Sequence, residues 1–194
     1  RLPEEPAYDP SQWLDARQRG SLLHEVFEAF VRELMPHQEL VGTDDGRNAL
    51  ESIVEDSLAR WRTVVPPPSE SVFESEGTEI REAARAFLAM EEEWLPRTGA
   101  RWHVPELAFG PRAPAWFALP DGSRIPIHGR IDRVDQLPGG GLVVIDFKTG
   151  SATVHRKSPK QGAFNGGRSL QSPIYAVAAA TVLEGTVVAF EYRF

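Results

Sequence analysis

Residues Gly129-Arg130-Ile131-Asp132-Arg133-Val134-Asp135 lead into Pro138-Gly139-Gly140-Gly141 and return as Val143-Val144-Ile145-Asp146-Phe147-Lys148. No other stretch constrains the fold as strongly. Proline and consecutive glycines end one strand and permit a reversal, and β-branched residues fill both arms. Side chains on a strand alternate faces, so Asp146 and Lys148 share a face with Leu142 and Val144. A turn centred on Gly139 sets Asp132 opposite Asp146, where directly paired Cβ atoms lie roughly 4.5–5.5 Å apart. Two carboxylates that close share a proton or bind a cation.

The rest of the chain divides by hydrophobic period. Leu23, Val26, Phe27, Phe30, Val31 and Leu34 predict a helix over 18–34, with Pro36 just beyond it. A second helix is expected over 45–64, with Leu50, Ile53, Val54, Leu58 and Trp61 on one side, ending at Pro66-Pro67-Pro68. A third, over 78–95, uses Ile80, Ala84, Phe87, Leu88 and Trp94 and stops before Pro96. From residue 100 strands take over: one through Trp102, Val104, Leu107 and Phe109, a short one over 116–119, then the hairpin arms 125–134 and 142–147. A Gly- and Ser-rich loop over 149–169, an Ala-rich helix over 170–183 stopped by Gly185, and a strand over 187–194 complete the chain. This order predicts an α/β fold, a mixed central sheet flanked by helices with an N-terminal helical block.

Composition excludes several chemistries. Cys is 0, which removes disulfides, thiolate metal sites and cysteine nucleophiles and fits a reducing, cytoplasmic compartment. No apolar run has the length of a membrane span and no signal peptide opens the chain, so no membrane partner is expected. Net charge of -7 opposes nucleic-acid binding. The distribution offsets that objection: residues 147–183 contain no Asp or Glu and carry Lys148, Arg156, Lys157, Lys160 and Arg168. The Pro-rich opening is read as a lead-in segment. Because the chain starts at Arg1 and ends at Phe194 within a strand-like run, it is expected to be a fragment of a longer protein.

If Asp132 and Asp146 face one another, hard ions such as Mg²⁺ or Mn²⁺ suit their oxygens, and Lys148 beside them can orient an attacking water or steady developing charge. Blander readings stand beside this one. Asp-x-Lys on a strand is often a surface pair; Asp132 could pair with Arg130 or Arg133; Asp135 could cap the turn. His24, at the edge of the first helix's apolar stripe, is a sensible third ligand if that helix abuts the hairpin, or a packed histidine if not. Glu106, in an otherwise apolar strand, is either exposed or a buried acid needing a partner. Gln171 and Tyr175 are one helical turn apart and share a face.

Taken in order, Gly20-Ser21-Leu22-Leu23-His24-Glu25, Glu106, Gly129 to Asp135, Asp146-Phe147-Lys148-Thr149-Gly150 and Gly167-Arg168-Ser169-Leu170-Gln171-Ser172-Pro173-Ile174-Tyr175 resemble the PD-(D/E)XK nuclease superfamily, in its RecB-like and AddB-like branch. The resemblance implies a restriction-endonuclease-like sheet. It implies a domain over 20–194, with a helical part at about 20–97, a sheet core at about 100–194, and 1–19 as lead-in. It makes His24, Asp132, Asp146 and the Phe147 backbone carbonyl metal ligands, Lys148 the catalytic lysine, Glu106 an accessory acid, and Gln171 and Tyr175 the branch's Q-x-x-x-Y motif.

The activity so implied is a Mg²⁺- or Mn²⁺-dependent deoxyribonuclease. The resemblance favours an exonuclease domain of a helicase–nuclease, acting on DNA ends in recombinational repair near the nucleoid, with DNA and a fused or associated helicase as partners. The rival is a catalytically inactive module on the same fold that grips DNA or a partner protein; a metal phosphohydrolase of small molecules is a third reading. Many relatives hold an iron–sulfur cluster on cysteines that this sequence lacks, so none is expected in this fragment.

Overall fold

Asp15 opens α1 (Ala16–Leu34): its carboxylate accepts from the Gln18 N–H while the Gln18 side chain accepts from the Asp15 N–H, so two donors without helical partners are satisfied reciprocally. The computed structural model describes residues 9–148 and 170–193. The loop expected over 149–169, with Arg156, Lys157, Lys160 and Arg168, therefore lies outside the described residues. A 3-10 segment (Met35–Leu40) leads to α2 (Asp44–Val64), capped by Thr43. The third helix, α3 (Glu70–Thr98), corrects the expected boundaries at both ends. It starts earlier because the Ser69 hydroxyl accepts from the Val72 N–H. It runs through Pro96 to Gly99, whose left-handed φ of 65° and N–H to the Leu95 carbonyl supply the stop. Among the described residues no helix is long and apolar enough to cross a membrane.

The strands follow as β1 (Arg101–Phe109), β2 (Ala115–Ala118), β3 (Arg124–Ile127), β4 (Gly129–Gln136) and β5 (Leu142–Phe147), then α4 (Gln171–Val182) and β6 (Val187–Arg193). The main sheet has the order β1-β4-β5-β6. Its first two pairings are antiparallel and the last is parallel, with α4 between the parallel strands in the chain. This is the mixed sheet with an N-terminal helical block that the sequence predicts. The single arm expected over 125–134 is two strands. β3 pairs with β2 in a separate hairpin, and β4 begins at Gly129. A Cβ on Gly129 would lie 2.8 Å from Phe109 Cζ, so glycine lets β4 pass beneath that ring.

Alternation along β5 divides the core. Val143, Ile145 and Phe147 face the helical block; Leu142 and Val144 face Ala178 and Ala179 of α4. Phe147 enters an aromatic cluster: Phe27 stacks on Phe87 at 4.3 Å, and Phe147 meets Phe27 at 5.3 Å and Phe87 at 5.6 Å. Burying each such ring stabilises by about 1.5–3 kcal/mol. Trp13, in the segment read as a lead-in, is also buried and meets Phe73 of α3 edge-on at 4.9 Å.

Charges are buried at this interface too. Glu91 of α3 is fully buried, accepts from the Trp102 indole at 2.9 Å, and pairs with Arg133 at 2.9 Å and with Arg193. Arg133 also reaches Asp135 at 2.8 Å, and the Trp94 indole donates to Asp135 at 3.0 Å. Burial opposes ionisation of Glu91, but Arg133 and Arg193 outweigh it and hold the carboxyl below its ordinary range. Asp135 is thus a member of a buried ion network rather than a turn cap. Isolated, each ion would be strongly destabilising there; two guanidinium groups against two carboxylates make the arrangement tenable.

Candidate metal centre

The β4–β5 ladder runs from Gln136↔Leu142 to Arg133↔Ile145, the register expected for a turn about Gly139. Asp132 and Asp146 are the next residues on their strands. Ladder pairing is replaced here by a side-chain cap, in which the Phe147 N–H donates to Asp132 Oδ2 at 2.6 Å. On its other side β4 pairs with β1. Glu106 lies opposite Asp132, between the pairs Pro105↔Arg133 and Leu107↔Ile131.

Both strands break their alternation at this step. Val104 and Val134 pack toward α4, and so do Leu107 and Ile131, three residues along each strand instead of two or four. Glu106 absorbs the break with a left-handed φ of 53°, a conformation that is rare and costly for a residue with a Cβ. The two acids consequently line a cleft under α1 with His24, Phe27 and Phe147.

His24 Nδ1 lies 3.5 Å from Asp132 Oδ1, and His24 is hydrogen-bonded to the backbone of Phe147. Ligand atoms of His24, Glu106 and Asp132 all fall within 4.8 Å of one another. Asp146, which is buried, is held differently. It pairs with Lys148 and accepts from Gln171 Nε2 at 2.7 Å, while Lys148 Nζ donates to Gln171 Oε1 at 3.0 Å. Gln171 is in turn hydrogen-bonded to Tyr175, whose ring meets Phe109 edge-on at 5.8 Å. The residues singled out in sequence thus form two adjoining groups that meet at Phe147. Neither arginine considered for Asp132 takes it: Arg130 reaches Glu106 at 3.1 Å, and Arg133 points to Glu91 and Asp135.

The electrostatics distinguish the groups. Burial, assisted by Asp146 and opposed by the Phe147 N–H and Lys148, pushes the Asp132 carboxyl up to about 7. Burial and the charges of Glu28 and Asp132 also raise Glu106, against Arg130. Burial lowers His24 and favours the neutral imidazole, the form whose lone pair can coordinate. Asp132 is therefore crowded by negative charge without a strong cation of its own. One nitrogen and two carboxylate donors beside such an excess of negative charge fit a divalent cation. Glu28 is a participant that sequence reasoning passed over. It follows His24 by one helical turn, lines the same cleft, and pairs with Arg32 at 2.7 Å.

The family model of the PD-(D/E)XK nuclease superfamily matches residues 1–193. The chain belongs to the PD-(D/E)XK nuclease superfamily. Relatives within reach by sequence are named as a subunit of an ATP-dependent helicase/deoxyribonuclease. One from Clostridium perfringens is 28% identical over 142 residues, 68% of this chain and 12% of the relative. One from Symbiobacterium thermophilum is 27% identical over 186 residues, 89% of this chain and 15% of the relative. One from Pelotomaculum thermopropionicum is 48% identical over 81 residues, 38% of this chain and 7% of the relative. This PD-(D/E)XK chain thus spans less than a sixth of the length of these relatives.

Proposed function

We propose that the chain is a divalent-metal-dependent deoxyribonuclease domain, of the exonuclease type, within a longer helicase–nuclease that processes DNA ends. The observation that carries the reading is the convergence of His24, Glu106 and Asp132 beside the Asp146–Lys148–Gln171 group. His24, Asp132, Asp146 and the Phe147 carbonyl are the proposed ligands for Mg²⁺ or Mn²⁺, with Glu106 as an accessory acid. A divalent ion supplies Lewis-acid polarisation of a phosphoryl oxygen and lowers the pKa of water at the site.

The chain's own residues supply the remainder. Asp146 and Gln171 fix the Lys148 ammonium, so it meets an incoming water or a non-bridging phosphoryl oxygen without reorganising. Tyr175 holds Gln171, and the aromatic wall of Phe27 and Phe147 keeps one side of the cleft dry. The water oxygen attacks phosphorus, the opposite P–O bond breaks, and the leaving oxygen takes up a proton.

End-labelled linear and circular DNA, single- and double-stranded, incubated with Mg²⁺, Mn²⁺ or EDTA, tests this reading. Metal-dependent shortening of linear DNA with circles spared is expected. Undiminished Mg²⁺-dependent cleavage by Asp146→Ala would remove the mechanism. Titration calorimetry with Mn²⁺ separates the active domain from an inactive module on the same fold, since the module need not bind the ion.

A further inference from the structure

The hairpin of β2 and β3 leaves the main sheet after Phe109 and re-enters it at Gly129, the last β1–β4 pair. Its inner face is anchored, with Ala115 and Ile127 buried in the core shared with α4. Its outer face is unusual. Trp116 stands opposite Pro126 and is 49% exposed. It lines a groove of about 640 Å³ with Gly110, Pro111, Pro114, Pro126 and His128, within the ~300–1,000 Å³ typical of ligand clefts.

Cations outnumber acids around this groove. Arg112, Arg124 and His128 are exposed, and the single acid between residues 110 and 130 is Asp121, whose carboxylate is occupied by the N–H and hydroxyl of Ser123. Among the described residues neither Arg112 nor Arg124 forms an ion pair. Three residues along β4 from Gly129, about 10 Å at strand rise, is Asp132.

We propose that this hairpin is a rest for a single nucleic-acid strand, with a base stacked on the Trp116 indole and flanking phosphates met by Arg112 and Arg124. An exposed flat ring bordered by proline and glycine, next to cations without partners among the described residues, suits an unpaired base on an anionic backbone. Duplex DNA does not offer its base faces, and an acidic protein surface has no need of the ring. The identity of the strand as nucleic acid rests on the nuclease reading; its placement on the hairpin does not.

The test is binding in EDTA, where cleavage is silent. Trp116 is the most exposed of the tryptophans: Trp13, Trp94 and Trp102 are buried and Trp61 is half-buried. Oligothymidylate should therefore quench the chain's fluorescence, and Trp116→Ala should lose most of that quenching. Fluorescence anisotropy of labelled oligothymidylate should show affinity lowered roughly tenfold in Trp116→Ala and largely kept in Trp116→Phe. Arg112→Ala with Arg124→Ala should flatten the salt dependence by about one to two phosphate contacts.

Wild-type affinity in Trp116→Ala, equal competition by blunt duplex, or no binding by the unaltered chain overturns the proposal. So does loss of a dimer in sedimentation of Trp116→Ala, which would assign the groove to a second copy. Cleavage with normal binding by Trp116→Ala sinks the hairpin and leaves the nuclease reading; the expected binding without any metal-dependent cleavage does the reverse.

Discussion

Asp132 and Arg133 are neighbours on β4, and each belongs to a cluster of charges, yet the clusters are built on opposite plans. On the helical-block side, Arg133 and Arg193 meet Glu91 and Asp135, with two indole N–H groups completing the set. That cluster is nearly closed: both guanidinium groups are met by carboxylates, its central members are buried, and only Glu191, 3.6 Å from Arg193, lies partly at the surface. One residue away, Glu106, Asp146 and Glu28 pair with Arg130, Lys148 and Arg32, while Asp132 faces an imidazole that burial keeps neutral. The remaining imbalance falls on Asp132. Burial of charge is common to both clusters; what sets the second apart is Asp132, left without a cation of its own opposite the left-handed backbone of Glu106.

The sharpest break between the clusters is in activity. Lys148→Ala or Asp132→Ala should lower cleavage by at least ~10²-fold while leaving the circular-dichroism melt within a few degrees of the unaltered chain. A collapse of the melt instead would make the open cluster a structural one. Next in size, Glu91→Ala should cost about 3–5 kcal/mol by leaving two buried guanidinium groups short of a partner, a fall in Tm of roughly 10 °C. An unchanged melt would mean that the closed cluster contributes nothing to holding α3 on the sheet.

A third prediction reverses the sign. In EDTA, Asp132→Asn should raise Tm. The folded-state pKa of Asp132 is raised from 3.8 to about 7, so its stability contribution is complete below the unfolded value and is lost as pH rises through about 7. The gain from Asn should therefore be several degrees at pH 8, shrink between about pH 7 and 4, and vanish near pH 4; a gain independent of pH would refute the assignment. Mn²⁺ should raise the melt of the unaltered chain and not that of the variant. The smallest effect belongs to Arg130→Ala. Because Arg130 is largely exposed, losing its pair with Glu106 should cost under about 1 kcal/mol, seen as a Tm shift of no more than a few degrees.

Much of this was legible in the chain. Helical spacing located the three N-terminal helices, and the Pro138–Gly141 turn fixed the β4–β5 register. Phe147 and Lys148 fell on the faces that alternation assigns them. The early start of α3 was hidden because its opening, from Glu70 to Gly77, is polar except for Val72 and Phe73, too few apolar residues to show a period; the Ser69 cap was the available signal.

The break at Glu106 also had a trace, since Val104, Leu107 and Phe109 are spaced three and then two apart. Period alone cannot say which way the intervening acid swings. The closed cluster was not legible: Glu91 heads an acidic run with Glu92 and Glu93, and only three-dimensional packing separates the buried member from its neighbours.

Phe147 gives its ring to the helical block and its main chain to Asp132 and His24. The imidazole reaches the acids only once the first helix, made early in synthesis, has docked onto a strand made much later. A full-length chain whose first helix has not docked carries these groups without their mutual geometry. For the nuclease proposed above, competence to cut is thereby tied to completion of folding.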